Sequence, residues 1–249
     1  MDGDFHGRQR DWLRDVVLPR RWVRELDRRA VEDFGIPGPV LMENAGRGAT
    51  DVLERLGING RVVVCCGKGN NAGDGFVVAR HLDLRGFDVL LLLASPGESL
   101  TGDALLNYQI ADRAGLPMKV IGADLNSEEL KGYLTQAEWI VDGLLGTGAV
   151  GDPRPPFDGF IEAINFAKDA GAHVFALDLP SGWDCDTGEP GKPCVRADHT
   201  VTFAVMKPGF LKPQAVQFAG HVEVVDIGVP RRLIMQVAEE YAREVSRLR

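Results

Sequence analysis

A chain of 249 residues, 45% of them hydrophobic, is long enough to close one large core and is read as one domain. Its net charge of −8 excludes a protein that binds chiefly by neutralising a phosphate backbone, so nucleic acid is not expected as a partner. The most apolar run, Val89 to Ala94, is too short to span a bilayer and the N-terminus lacks an apolar signal segment, so no membrane partner and a cytoplasmic location are expected.

In chain order, residues 1–18 are polar and of mixed charge; they read as an extension, an arm or dimer contact, ahead of a single domain over 19–249. Trp22, Val23, Leu26, Ala30 and Phe34 then recur at helical spacing, and a second helix runs from Pro39 through Met42, Ala45, Ala49, Val52, Leu53 and Leu56. From there strands and helices alternate: strand 61–66, a helix from about 74 to 84, strand Val89–Leu93, helix 103–114, strand 118–121 and helix Ser127–Leu134. The pattern continues with strand 139–141, helix 157–170, and strands His173–Leu177, His199–Phe203 and His221–Val225. Near-continuous Val, Ile and Leu in the strands, with amphipathic helices between them, predicts an α/β three-layer αβα sandwich, a Rossmann-like and mostly parallel sheet covered on both faces. The four cysteines lack metal-ligand spacing; Cys65 and Cys66 point to opposite faces of a strand, and Cys185 and Cys194 complete a set expected to be buried free thiols.

Gly67-Lys68-Gly69-Asn70-Asn71-Ala72-Gly73-Asp74-Gly75 follows the first strand and opens a helix, the place where backbone amides approach a phosphate. Gly67, Gly69 and Ala72 satisfy the dinucleotide spelling G-x-G-x-x-A, although a tight strand-to-helix turn has the same spelling. The second strand ends Leu93-Ala94-Ser95 with no acid to hold a ribose diol, which argues against an ordinary dehydrogenase. A Walker A loop is excluded because no Gly-Lys-Ser/Thr opens the helix. Asn70, Asn71 and Asp74 either gather oxygens for a polar ligand or hard cation, or cap the helix.

Asp142 stands at the end of the strand Trp139-Ile140-Val141, before Gly143-Leu144-Leu145-Gly146-Thr147-Gly148, and Asp178 ends the next strand, before Leu179-Pro180-Ser181-Gly182-Trp183. In open α/β sheets that carboxyl edge is where ligands bind, so both acids and the 70–74 segment are expected in one cleft. For either Asp alone, a local turn device is the simpler reading. Ser181 is not in a nucleophile elbow, and no motif gives it a histidine base. His81, His173, Trp22, Trp139 and Trp183 are read as structural, Lys68 as a solvated loop residue, and Lys207 as a candidate for the cleft edge.

These motifs resemble the YjeF N-terminal domain family, from Met42-Glu43-Asn44-Ala45-Gly46 through the Asn70, Asp142 and Asp178 segments to Lys207-Pro208-Gly209. The order and spacing of the motifs make the match specific, and Ala72 departs from the glycine usual there. The resemblance implies an epimerase of hydrated NADH and NADPH (NADHX and NADPHX). It implies dinucleotide contacts from Asn70, Asn71, Ala72, Gly73, Asp74, Gly146, Thr147, Gly148, Ala149, Val150, Gly151, Asp152 and Asp178, with Asp178 as catalytic acid and base or as the group that positions the ring. It also implies one K⁺ per subunit on Asn71, Asp142 and Ser181, no prosthetic group, a homodimer, and a separate NAD(P)HX dehydratase as functional partner. The competing expectation is a non-catalytic YjeF-type module that binds a ligand or RNA, which the intact Asn71, Asp142, Asp178 and Ser181 disfavour.

Overall fold

The computed structural model describes residues 12–121 and 127–247. Helices α1 (Trp12–Asp15), α2 (Arg20–Glu32) and α3 (Gly38–Leu56) precede the first strand. Then come β1 (Val62–Cys66), α4 (Asn70–Leu84), β2 (Val89–Leu93), α5 (Gly102–Arg113), β3 (Met118–Val120) and α6 (Ser127–Leu134). The chain continues through β4 (Trp139–Gly143), α7 (Phe157–Asp169), β5 (His173–Leu177), β6 (His199–Phe203), α8 (Ala215–Ala219), β7 (His221–Val225) and α9 (Arg231–Arg247). The strands form one sheet in the order β3-β2-β1-β4-β5-β6-β7, and every pairing is parallel.

Alternation along β1 divides the core into two layers, as a period of two requires. Val62, Val64 and Cys66 join the cluster that buries Leu26, Leu53, Phe76 and Val237, whereas Val63 and Cys65 join Leu134, Phe160 and Ile164 on the other face. The expected three-layer sandwich therefore follows from a central strand that is fully buried on both faces. All four cysteines are free and buried.

Helix α2 buries Val23, Leu26 and Ala30 and is tied to α9 by the Arg29–Glu240 and Arg21–Glu244 ion pairs and by Trp22 against Tyr241, ring centroids 5.9 Å apart. Helices α3 and α4 cross closely because Gly46 leaves room for Val77 and Gly73 for Met42; a Cβ on Gly46 would lie 2.4 Å from Val77 Cβ.

Three features differ from the expected elements. Helix α4 begins at Asn70 rather than near Asp74, with Gly69 as its N-cap, so Asn70 and Asn71 form its first turn. The sheet is wholly parallel because β7 also runs with β6, reached through the crossover that contains α8. Helix α9 was not expected: its buried residues, Leu233, Ile234 and Val237, stand among many charged neighbours. Of the 1–18 extension, residues 1–11 lie outside the described residues. Leu13 and Leu18 are buried and Val17 bridges Met206, so the stretch 12–18 is packed onto the domain.

The strand order turns back between β1 and β4, since β1 continues outward to β2 while β4 lies on its other side. Loops leaving such a pair diverge and open a crevice at their carboxyl ends.

Candidate active site

The crevice is a cleft of about 810 Å³. The start of α4 (Asn70 and Asn71 in its first turn, Asp74 just beyond), residues 144–149 after β4, Asp178 after β5, Lys207, and Asp27 on α2 meet in it. Its two central loops touch backbone to backbone. Gly67 N–H donates to the Gly143 carbonyl at 3.1 Å, and a Cβ on Gly67 would fall 2.0 Å from the Leu144 carbonyl oxygen, so only glycine fits there.

Under the cleft floor, Asp142 is fully buried. Its Oδ1 accepts from Ser181 Oγ at 2.6 Å and Leu144 N–H at 3.2 Å, and its Oδ2 accepts from Ser181 N–H at 2.7 Å. Burial pushes the carboxyl up to about 6 against the pull of those hydrogen bonds. Ser181 Oγ in turn accepts from Leu145 N–H at 2.9 Å, and Asn71 Nδ2 donates to the Leu145 carbonyl at 3.1 Å. Asn71 Oδ1 is buried with no hydrogen-bond partner among the described residues. Sequence spacing placed these three side chains on different elements; the fold joins them through one residue of the β4 loop.

Asp178 sits in the cleft wall at φ 63°, and Leu179 N–H donates to the Leu177 carbonyl at 2.8 Å across it. Ala204 repeats the arrangement at φ 65°, with Val205 N–H to the Phe203 carbonyl at 2.8 Å. Both are γ-turns of the strained positive-φ kind, and both line the cleft. Asp178 Oδ1 accepts from Lys207 Nζ at 2.7 Å, with longer approaches from Thr202 Oγ1 at 3.4 Å and Phe203 N–H at 3.5 Å.

Lys207, the candidate for the cleft edge, lines the cleft and is wholly buried. Besides Asp178, its ammonium donates to Thr202 Oγ1 at 2.7 Å and the Phe203 carbonyl at 2.9 Å, which uses all three of its protons. Two more acids share this wall. Burial raises Asp74 well above the usual carboxylate range, with Asp178 and Asp27 adding to the effect and Lys207 opposing it. Burial lifts Asp27 to about 6, again with Lys207 opposing and Asp178 adding. Sequence reading missed Asp27. The available signal was its place in the stripe Val23, Leu26, Asp27, Ala30, a charge where the inward face of α2 is otherwise apolar.

The remaining expected residues divide by position. Gly146, Thr147, Gly148 and Ala149 line the cleft; Gly151 and Asp152 line an adjoining pocket of about 260 Å³ beside Trp183; Val150 is exposed and lines neither. Ala72 and Gly73 are buried within α4, away from the cleft surface. Lys68 is exposed on the cleft lip. His81 bonds Glu43 at 2.7 Å, and His173 lies against Trp139, ring centroids 4.8 Å apart, at the opposite edge of the sheet. Among the described residues, no three His, Cys, Asp or Glu side chains could hold a metal, so a cation in this cleft would need amide, hydroxyl and carbonyl oxygens as well.

The profile of the family described as YjeF-related protein N-terminus matches residues 38–209. The chain belongs to this family. Among YjeF relatives, the NAD(P)H-hydrate epimerase of Rhodopirellula baltica is 46% identical over 215 residues, 86% of this chain and 85% of that one. The protein of the same name from Pirellula staleyi is 42% identical, covering 89% of this chain and 96% of the relative. The bifunctional NAD(P)H-hydrate repair enzyme Nnr of Moorella thermoacetica is 38% identical, and there the match spans only 40% of the relative. The crystal structure of the yeast protein ynu0 shares the fold, with a TM-score of 0.75 at 24% identity over 89% of this chain and 93% of that one. Asn71, Asp142, Asp178 and Ser181 all fall inside the matched YjeF segment, whereas Asp27 precedes it.

Proposed function

We propose that this protein is an NAD(P)H-hydrate epimerase that interconverts the R and S forms of NADHX and NADPHX. The observation that carries the reading is the meeting of Asp178, on its strained turn, with the Asn71–Leu145–Ser181–Asp142 network in a single cleft at the carboxyl edge. Two relatives of that name, matched over most of both chains, support it.

Binding follows from the loops. The amides of Asn70 and Asn71 stand in the first turn of α4, where N–H groups have no helical partner, and the helix dipole favours the pyrophosphate there. Lys68 on the lip adds a positive charge. Residues 144–149 cover the other side of the dinucleotide, and the adjoining pocket beside Trp183 extends the groove toward Gly151 and Asp152.

In the substrate, a hydroxyl sits on the ring carbon next to an enamine nitrogen. Proton delivery to that hydroxyl lets the nitrogen lone pair expel water, and water returning to the other face gives the epimer. Asp178 offers a carboxylate whose hydrogen bonds all fall on Oδ1, which leaves Oδ2 for the ring that becomes positively charged.

The donor set also fits K⁺, one per subunit. Asn71 Oδ1 is buried and unpartnered, Asp142 is buried with no cation beside it among the described residues, and Ser181 Oγ completes an all-oxygen group of the kind a hard ion takes. Asn71, Asp142 and Ser181 would hold the ion, and its charge would offset the buried Asp142 carboxylate. A homodimer, a cytoplasmic location and a separate NAD(P)HX dehydratase as working partner belong to the same proposal; the bifunctional relatives support the last.

Chiral chromatography of R-NADHX tests the function. In K⁺ buffer the wild type is expected to equilibrate R and S far faster than the spontaneous rate, and Asp178→Ala to lose most of that acceleration. A folded wild type that leaves the spontaneous rate unchanged points instead to a binding module.

A further inference from the structure

We propose that Asp27 and Asp74 form a carboxyl pair that carries the transferable proton of the epimerisation, while Lys207 anchors Asp178 in place beside the ring. The assignment rests on the epimerase reading above and divides between three acids a task otherwise given to Asp178 alone.

Charge and hydrogen bonding in the wall lead to it. Asp27 from α2, Asp74 from α4 and Asp178 from the end of β5 line one cleft; Asp178 disfavours charge on both of the others, and Asp27 disfavours it on Asp74. Lys207 is the buried cation among them, and its three protons are already placed on Asp178, Thr202 and the Phe203 carbonyl. Asp74 is only 8% exposed, yet its side chain has no hydrogen-bond partner among the described residues, and Asp27 has none either. A native fold seldom leaves a buried polar group unpaired without a use for it, and here the buried Asp74 and the half-buried Asp27 both line the space where a ligand fits.

The other charges around the pair do not relieve it. From α2, Arg24 is exposed, and Arg28 is engaged by Glu25 and Glu32. Lys68 is an exposed residue of the β1–α4 loop, and Asp103 on α5 adds another negative charge. Charge on Asp27 disfavours charge on Asp74, and Lys207, already engaged by Asp178, opposes this only in part, so the two acids retain a proton between them that both cannot cheaply lose. Burial moves both acids in that direction, Asp27 to about 6 and Asp74 well above the carboxylate range.

The step balances without a redox partner. The shared proton passes to the substrate hydroxyl, the carbon–oxygen bond breaks with its electrons going to oxygen, and water leaves as the nitrogen lone pair forms the carbon–nitrogen double bond. Water then bonds to the same carbon from the opposite face and returns one proton to the pair. Asp27 enters from a helix that precedes the matched family segment, so a complete site needs α2.

The test compares R-to-S conversion of NADHX by wild type, Asp27→Asn, Asp74→Asn and the distant control Glu138→Gln from pH 5 to 9. Each Asn variant is expected to lose roughly 10²–10⁴-fold in kcat, with KM changed by less than about threefold and the fall in kcat with rising pH flattened. The control should match wild type. Unchanged kcat and pH profile in both Asn variants, beside an active wild type, overturns the pair and leaves the epimerase reading standing. A raised KM with kcat and profile intact overturns it too, since that makes the acids binding residues. An inactive wild type sinks the underlying reading instead. Carbon-13 NMR of aspartate-labelled protein needs no activity: a carboxyl that titrates near neutral pH and disappears in Asp27→Asn supports the pair, and a wild-type spectrum unchanged by that substitution above pH 5 overturns it.

Discussion

At the amino ends of the strands, Glu138 accepts from Asn59 N–H at 2.6 Å and from Gly60 N–H, and Asp198 accepts from Val174 N–H at 2.8 Å while pairing with Lys168. Hydrogen bonds from Asn59 and Gly60 outweigh desolvation and hold the Glu138 carboxyl below its usual value. At the carboxyl ends of the same strands, burial drives Asp142 and Asp27 up to about 6 and Asp74 higher still. Both positive-φ non-glycine residues of the described chain, Asp178 and Ala204, lie at this end, as does the unpartnered Asn71 Oδ1. One sheet thus keeps acids that hydrogen bonds or a cation hold charged at one edge, and acids that burial pushes toward the neutral form at the other. Strain and uncompensated charge collect where a ligand can relieve them, and the opposite edge supplies stability.

The largest break in that comparison is the removal of Lys207, among the described residues the only fully buried cation at the carboxyl edge. Lys207→Met strands Asp178 and should destabilise the fold by about 3–5 kcal/mol in urea titration at pH 7, because a largely desolvated carboxylate loses its cation. The double variant Lys207→Met/Asp178→Asn should recover most of the loss, Asn being a residue that tolerates the positive φ at this position. A double variant no more stable than the single one would mean that Lys207 acts through packing alone.

Next in size is Asp142→Ala, which leaves the N–H groups of Ser181 and Leu144 buried without their acceptor and should cost about 2–4 kcal/mol. The same variant checks the cation. Replacing NaCl by KCl at equal ionic strength should raise the thermal midpoint of wild type and leave that of Asp142→Ala unmoved, since an ion that binds only the folded state stabilises it by mass action. Equal midpoints for wild type in the two salts would remove K⁺ from the proposal.

These buried acids also mark where sequence reading stopped. The strands were legible because buried parallel strands read as unbroken apolar runs, and Asp142, Asp178 and Ser181 were legible because they are polar residues where such runs end. The start of α4 was misplaced since Asn70 and Asn71 resemble caps, yet Gly69 holds the N-cap position and frees both for the first turn. Helix α9 was hidden by its charges, which are spent on partners such as Arg29 on α2. Asp27, and the burial of Lys207 although its place at the cleft was read, were opaque for a different reason: the burial of a charge depends on what packs over it. Here α2 meets residues about 180 positions later in the chain, a juxtaposition no local pattern encodes.

A subtler change sharpens the contrast by its sign. Asp27 has a folded-state pKa of about 6, above the ordinary 3.8, so the folded state favours its proton. Its contribution is fully favourable below pH 4 and is lost as pH rises through 6, where ionisation opposes folding. Asp27→Asn, which cannot ionise, should therefore be about 2 kcal/mol more stable than wild type at pH 8 and nearly equal to it at pH 3.5, read by denaturant midpoints. A stability gain from a substitution expected to slow turnover is the pattern of a site built for function. Equal stability at both pH values would show that Asp27 is solvated and carries no such strain.

The smallest effect belongs to the satisfied edge and has the opposite sign. Glu138 has a depressed folded-state pKa, so its contribution is present above the unfolded value near 4.5 and is lost as pH falls through the lower folded value. Glu138→Gln keeps one oxygen to accept from Asn59 and Gly60 but loses the charge that shortens such bonds, and the site is open enough to water for screening to reduce the gain. The variant should be about 0.5–1 kcal/mol less stable than wild type at pH 7 and converge with it near pH 3. The two acid-to-amide changes then move stability in opposite directions at neutral pH, one at each end of the same strands. If Glu138→Gln stabilised the protein as Asp27→Asn is expected to, the difference between the edges would reduce to net charge, because removing any acid from a chain of charge −8 relieves some repulsion.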